Sequence, residues 1–489
     1  MGRDAIMKKS RILITTPIYY VNDKPHLGHA FTTLIADVLS RYFKQQGKEV
    51  FFLTGTDEHG IKIAQLSEEQ NKTPQELCDE ISLEFKKTWQ NLGIEYDYFI
   101  RTTDKDHIET VQFILNTLKE TNNLYEKDYE GLYCVGCESF LLEKDLVNGL
   151  CPFHQKAPLK VSERNYFFKL KNYLKKIKIK IEKGEIKITP DFALKETLGL
   201  FKQNLPDFSV SRLKEKVKWG IDLPFDDSQV VYVWVDALIN YISAIGFYKN
   251  KKNFKKWWEQ GYVLHILGKD ILKFHAVYWP AMLEALKVKT PDEELIHGFF
   301  TVNGQKMSKT LGNVIDPNDL VKKYGKDAVR YLLLSQFPLS DGGDIKENQF
   351  QEKYNADLAN SFGNLVSRVV SLINKAEIEE KKEVSADFKK IILRTKENYS
   401  QFMENYKLFE ALKEIFKLVD YCNLYLTQNK TWELIGKEEK RELLKEQLNN
   451  LLEALKEIKD LILPFLPETS KKLENNLKFL KVEPLFQRI

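Results

Sequence analysis

The sequence predicts an α/β protein, a parallel sheet wrapped by helices that an insertion splits, followed by an all-α region. Three observations predict it. Short β-branched runs alternate with helical apolar patterns at the start of the chain. A turn-rich stretch carrying a cysteine cluster then interrupts them, and from Tyr354 to Pro464 glycine and proline almost vanish while Leu, Lys, Glu and Asn recur at helical spacing.

Taken in order, residues 12–16 (ILITT) form an uncharged β-branched run, which predicts a strand. A turn-rich segment follows (Pro17, Asn22, Asp23, Pro25), and then Phe31, Leu34, Ile35, Val38, Leu39 and Tyr42 fall at helical spacing. Gly47 ends that helix, residues 50–54 supply a second strand, and residues 55–60 a loop. Thr73-Pro74-Gln75-Glu76 has a cap residue, proline at the first helical position and glutamate at the third, the signature of a helix start. The order β, α, β, α predicts a Rossmann-like sheet with ligands where its strands end. From about Leu118 short turn-rich pieces take over, and strand-like segments return at residues 230–235 and 263–267. The expected divisions are residues 1–115 and 221–297 for the two halves of the sheet domain, 116–220 for the insertion, 298–353 for a connecting region and 354–489 for a helical bundle.

At 489 residues, with 43% hydrophobic and 29% charged residues, the chain has the composition of a water-soluble globular protein of roughly three or four domains. No apolar run approaches the roughly 20 residues that cross a bilayer, because even residues 230–248 are interrupted by Asp236 and Asn240. No apolar segment follows the N-terminal basic residues, and Ile6 stands where a myristoylation signal has Ser or Thr, so a cytoplasmic location without membrane partners is expected. A net charge of +4 does not by itself suggest nucleic acid. Residues 161–190 hold nine Lys or Arg against three Glu, which reads either as a surface for phosphates or as a solvated helix face.

His26-Leu27-Gly28-His29 opens the first helix directly after the first strand's loop. A helix N-terminus attracts anions through its free N–H groups, Gly28 lets a base or phosphate approach the backbone, and two imidazoles offer donors to phosphate oxygens. Two histidines three apart could equally be metal ligands or surface residues. About 280 residues later Lys306-Met307-Ser308-Lys309-Thr310 lies in a loop flanked by Gly304 and Gly312. Two lysines in such a loop can neutralise the charge that builds on a leaving pyrophosphate. Neither GxxxxGK[ST] nor GxGxxG occurs, which argues against P-loop and dinucleotide folds. Cys134-x2-Cys137, thirteen residues, then Cys151-x2-His154 supplies three thiolates and an imidazole, a set that fits one closed, tetrahedral, structural zinc site in the insertion. The remaining cysteines, Cys78 and Cys422, read as buried thiols.

In this order and on these elements, HLGH and KMSK resemble the HIGH and KMSKS signatures of class I aminoacyl-tRNA synthetases. The stretches TTPIYYVNDKPHLGH, FLTGTDEHG, VVYVWVDALINY, HILGKDILKFHAVYWPAM, GFFTVNGQKMSKTLGN and NADLANSFGNLVSR narrow the resemblance to the methionyl-tRNA synthetase family over essentially the whole chain. The resemblance implies ATP, with Mg2+, L-methionine and initiator and elongator tRNA(Met) as ligands. It implies catalytic roles for His26, His29, Lys306 and Lys309, and ATP contacts from Gly28, His29, Gly268, Asp270, Lys306 and Lys309. Asp270, just past the predicted strand 263–267, is a good acceptor for ribose hydroxyls, and as well a helix cap. A methionine pocket of Ile18, Tyr20, Trp234, Ala237, Leu238, Tyr241, Ile271 and His275 is implied, with Asp57 on the substrate's ammonium group. Aromatic faces suit an unbranched, polarisable thioether, although Trp234, Tyr241 and Trp279 also read as plain core aromatics. The connecting region becomes the lysine-loop and tRNA-stem contact region. The bundle becomes an anticodon-binding domain in which Asn364, Arg368 and Trp432 read CAU, residue types that suit unstacked RNA bases. The lack of a further β-rich module suggests a monomer. Two alternatives stand beside this reading, a small-molecule nucleotidyltransferase and a non-catalytic tRNA-binding derivative.

Overall fold

The computed structural model describes every residue except 1, 2, 137, 138, 142, 144, 145, 153, 154, 303, 307–313 and 378–382, and the backbone alone of 3–5, 139, 300, 305 and 306. The chain divides into two compact units: residues 1–25, 47–87 and 95–297, and residues 26–46, 88–94 and 298–489.

The first unit is built on a six-stranded sheet, every neighbouring pair parallel, ordered Tyr98–Arg101, Glu49–Asp57, Arg11–Tyr20, Tyr262–Gly268, Glu293–His297, Lys187–Thr189. All seven residues of Tyr262–Gly268 are buried, as a central parallel strand covered on both faces requires. Strand order reverses between Arg11–Tyr20 and Tyr262–Gly268, so their carboxyl ends, Tyr20 and Gly268, flank the crevice where such sheets bind ligands. Thr73 and Glu76 form the expected reciprocal cap: Glu76 Oε2 accepts from Thr73 N–H at 2.8 Å, and Thr73 Oγ1 accepts from Glu76 N–H at 3.2 Å. Cys78 and Cys422 are buried.

Four expectations need correction. The first strand does not stop before Pro17 but runs to Tyr20, because its register against Glu49–Asp57 slips between Thr15 and Ile18 and the irregularity accommodates a residue without an N–H. The second strand runs on to Asp57. Only Gln229–Val231 of the stretch 230–235 is strand, in a two-stranded pair with Ser211–Leu213, while Val233–Ser243 is a helix with ten of its eleven residues buried. A continuous apolar run has no period with which to tell the two apart. Within 116–220 the chain forms an antiparallel sheet ordered Ser139–Leu141, Leu124–Cys134, Leu159–Phe168, Phe208–Ser209, yet Lys187–Thr189 returns to the main sheet as its sixth strand. Within the lysine-rich stretch, Lys171–Glu182 is a helix that buries Ile177 and Ile181 and ties Lys176 and Lys180 to Glu284.

Among the described residues, the second unit is helical apart from a three-stranded sheet of Gln305–Lys306, Phe300–Val302 and Gly343–Ile345. Its long helices are Leu27–Gln45, Ala386–Glu404, Leu408–Asn429 and Arg441–Ile462. Arg330, fully buried, pairs with Asp37 at 2.6 Å and donates to the carbonyls of Leu92, Pro464 and Phe465. Among the described residues no helix is long and apolar enough to cross a membrane.

Candidate active site

In the second unit the motif histidines build the start of the helix Leu27–Gln45. His26 is the N-cap: its Nδ1 accepts the Gly28 N–H at 3.0 Å, and His29 Nδ1 accepts the His26 N–H at 3.3 Å. The rings stack with centroids 3.7 Å apart. Two imidazoles thus do the work a Ser and a Glu do in an ordinary capping box, without putting a carboxylate on the helix's positive end, and the first turn holds no acidic residue. Burial and the neighbouring His26 hold the His29 pKa well below 6.5, so its ring is neutral at pH 7. With Nδ1 accepting, a neutral ring carries its proton on Nε2, so His29 is a donor without charge.

The lysine loop leaves from the hairpin of Phe300–Val302 and Gln305–Lys306, in which Gly304 turns the chain at φ 73°. Asp344 locks that turn, accepting from Gly304 N–H at 2.6 Å and Thr301 Oγ1 at 2.7 Å, and these donors hold its carboxyl pKa down. At the loop's other end Ile315 C=O accepts the Leu27 N–H at 3.2 Å. The base of the loop is therefore bonded to the residue after His26. The backbone of Lys306 lies in the hairpin; its side chain and Met307, Ser308 and Lys309 lie outside what is described.

In the first unit, Ile18, Tyr20 and Asp57 stand at the carboxyl ends of adjacent strands, with Tyr20 and Asp57 in register. Gly268 closes the strand Tyr262–Gly268, Asp270 follows it exposed, and Lys269–Ile271 is a short helical turn. Trp234 lies on Phe274 with centroids 3.8 Å apart and planes at 6°. Ala237, Leu238 and Tyr241 are buried on the helix Val233–Ser243. Ile271, His275 and Tyr241 form a hydrogen-bonded chain: His275 Nδ1 meets the Ile271 carbonyl at 3.0 Å, and His275 Nε2 meets the Tyr241 hydroxyl at 2.8 Å. A carbonyl only accepts, so Nδ1 carries the proton, and burial presses the His275 pKa down to about 4, so Nε2 is bare at neutral pH. The Tyr241 hydroxyl must then donate to it.

Sequence reasoning missed the supports of this crevice. Asp236, buried, takes His59 Nδ1 and His107 Nε2, each at 2.7 Å. Burial pushes the Asp236 carboxyl up, but the two imidazoles outweigh it and hold its pKa low. Glu58, next to Asp57, is bound by both arms of the Arg101 guanidinium at 2.7 and 2.9 Å, and its carbonyl accepts the Trp219 indole N–H. These contacts fix the 57–60 loop. The one signal available was the acidic and histidine content of TDEHG and WVDAL; the partners lie 43 to 177 residues apart.

Of the metal cluster, Cys134 ends its strand and is buried, and Cys151, buried, opens a tight turn in which its N–H bonds Lys156 C=O and its C=O accepts from Gln155, at φ 52°. Cys137 and His154 lie outside the described residues, among which no group of three or more His, Cys, Asp or Glu could hold a metal. In the second unit, the Arg368 guanidinium lies 5.5 Å from the Trp432 ring centroid, and Asn364 is exposed one helical turn before it. Trp432 is 41% exposed, so its indole is open to solvent. An open groove of about 560 Å³ is lined by Asn364 and Ser367 together with Phe486 and Arg488, which sequence reasoning did not single out.

The sequence pattern of the family described as tRNA synthetases class I (M) matches residues 12–160 and 142–370. The chain is 42% identical to methionine–tRNA ligase of Thermotoga maritima, over 96% of this chain and 75% of the relative, and 42% identical to that of Clostridium perfringens, over 96% and 74%. Its structure is similar to that of Mycobacterium tuberculosis methionyl-tRNA synthetase in complex with methionyl-adenylate, with TM-score 0.91 and 30% identity over 98% of this chain and all of the other.

Proposed function

Since this chain belongs to the methionine-specific class I aminoacyl-tRNA synthetases, and is thereby a methionine–tRNA ligase, we propose how its residues divide the work of that reaction. The methionine carboxylate attacks the α-phosphorus of ATP; the bond to pyrophosphate breaks, and methionyl-adenylate forms. A hydroxyl of the tRNA's terminal adenosine then attacks the carbonyl carbon, and AMP leaves. No side chain is a covalent nucleophile, so the acceleration comes from positioning and from charge stabilisation as pyrophosphate departs.

One observation carries the assignment of the phosphate end: Leu27, inside the HLGH cap, is hydrogen-bonded to Ile315 at the base of the lysine loop. It supports a division of labour in which His26 and His29 donate neutral hydrogen bonds to phosphate oxygens, Gly28 allows close approach, and Lys306 and Lys309 supply the positive charge. Gly268 and Asp270 take the adenosine ribose. Asp57 takes the ammonium group, and Ile18, Tyr20, Trp234, Ala237, Leu238, Tyr241, Ile271 and His275 enclose the side chain. Mg2+ bound with the nucleotide would shield its phosphates.

The donor set Cys134, Cys137, Cys151 and His154 fits zinc, since two of its thiols are already buried at a strand end and a tight turn; the metal would brace the insertion. Asn364, Arg368 and Trp432 read the CAU anticodon shared by initiator and elongator tRNA(Met), in the cytoplasm where translation proceeds. Pyrophosphate exchange run with each of the twenty amino acids tests the core reading: exchange should need methionine. Exchange driven by leucine or isoleucine would reject the pocket, and none at all would favour a non-catalytic derivative.

A further inference from the structure

Glu294 lies inside the strand Glu293–His297, in register with His265, and is fully buried. His265 is in turn in register with Thr15, whose hydroxyl meets its Nδ1 at 2.6 Å. Register partners on parallel strands share a face of the sheet, so Thr15, His265 and Glu294 form one row. Over that row packs Tyr241, its ring centroid 4.3 Å from that of His265. Trp279 is 6.0 Å from Tyr241 on another side. Four buried polar atoms here have no hydrogen-bond partner among the described residues: both carboxyl oxygens of Glu294, His265 Nε2 and Trp279 Nε1. Leu295 and Ile296, the next residues of the strand, are the aliphatic kind that a buried strand calls for. A glutamate in their company has no packing rationale.

The charged groups of the surrounding elements are engaged elsewhere. Glu293, which alternation puts on the opposite face, takes Lys187, Thr189 and Tyr262. Asp292 pairs with Lys289, Glu284 with Lys176 and Lys180, and Asp236 with His59 and His107. Facing Glu294 are the neutral groups His265 and Tyr241, with His275 beyond them. Burial alone pushes the Glu294 carboxyl up to about 8, and burial followed by His275 presses His265 well below 6.5. At neutral pH the pair is an acid beside an uncharged imidazole. Whichever way the Thr15 bond runs, His265 Nε2 needs either a donor or an acceptor. A carboxylic acid offers both, whereas a carboxylate only accepts.

We propose that Glu294 is a positioning residue for methionine recognition: as a neutral acid linked to His265 Nε2 across a buried water, it fixes the imidazole under Tyr241 and so the Tyr241–His275 pair. The proposal rests on the methionine reading of the pocket. Ionising Glu294 would place an unpaired charge beneath that pair and loosen it.

The test is pyrophosphate exchange by wild type, Glu294→Gln and Glu294→Leu from pH 6.5 to 9.5, with the KM values for methionine and ATP taken separately. In wild type the methionine KM should rise through pH 8, by about tenfold one unit above the transition, with the ATP KM unmoved. Glutamine keeps a donor and an acceptor but cannot ionise, so E294Q should lack that rise. The substrate's own ammonium titrates in both enzymes, so the difference between them is the readout. E294L, which has neither group, should show a raised methionine KM at every pH. An E294Q profile that follows wild type overturns the proposal; a wild type without methionine-dependent exchange overturns the pocket reading instead. Thermal melts give a readout free of activity. The E294Q minus wild-type Tm should grow from pH 5 to pH 8, because the carboxyl ionises in the unfolded chain but not in the folded one, and a constant difference overturns the proposal as well.

Discussion

At the scale of single residues, charge and neutrality are divided sharply in this enzyme. The imidazoles of His29, His265 and His275 are all pressed below 6.5 by burial, so they hydrogen-bond without carrying charge. The proposed reading leaves positive charge for the departing pyrophosphate to the loop lysines. Lys306→Ala should lower the exchange rate by about 10² to 10³ while the methionine KM moves little, since one lost transition-state contact has that size. A fall in methionine affinity with an unchanged rate would remove the lysine's role. His275 also makes a stability prediction. Its folded pKa, about 4, is below the 6.5 of the unfolded chain, so the unfolded state binds the extra proton between those values and stability falls as pH drops from 6.5 toward 4. The Tm of His275→Asn relative to wild type should therefore rise as pH falls across that window; a flat difference would contradict a neutral buried ring. Sequence reading reached His275 and Tyr241 but not Phe274, Glu58 or Asp236, because their partners are fixed by strand order and not by spacing along the chain.

At the scale of elements, the helix Leu27–Gln45 is the part on which the proposed phosphate end depends. Its start is capped by histidines, and its middle is held by Arg330, whose guanidinium reaches Asp37 and three carbonyls with no exposure to water. Removing one side of such a buried pair typically costs about 3–5 kcal/mol. Arg330→Met should lower the urea midpoint accordingly, and Arg330→Lys should not restore it, because an ammonium cannot reach carbonyls on several sides at once. Equal stability of the lysine variant would show that charge alone matters there. The cap at Thr73 and the helix at Phe31 were legible locally. The extension of the first strand through Pro17 was not, since only the register slip against Glu49–Asp57 makes room for proline.

At the scale of the whole molecule, the proposed function has activation and charging draw on different parts of the chain. Trp432, half exposed under the Arg368 guanidinium, offers a face on which a base can stack, worth about 1–3 kcal/mol. Trp432→Ala should lower the rate of tRNA charging by about 10- to 100-fold at limiting tRNA, with the loss appearing in charging and not in tRNA-free exchange. A loss shared equally by both assays would make Trp432 a structural residue.

The sequence by itself determined the reaction class, the amino acid, the alternation that makes a parallel sheet and the helical character of the last third, because those are carried by contiguous motifs and by the period of apolar residues. Tertiary structure alone decided that Lys187–Thr189 returns to the sheet, that His26 and His29 cap one another, that Ile271, His275 and Tyr241 form a directed chain, and that Glu294 lies buried in register with His265. Each of these depends on which strands become neighbours and on which polar atoms water can no longer reach, and neither is written in the spacing of residues along the chain.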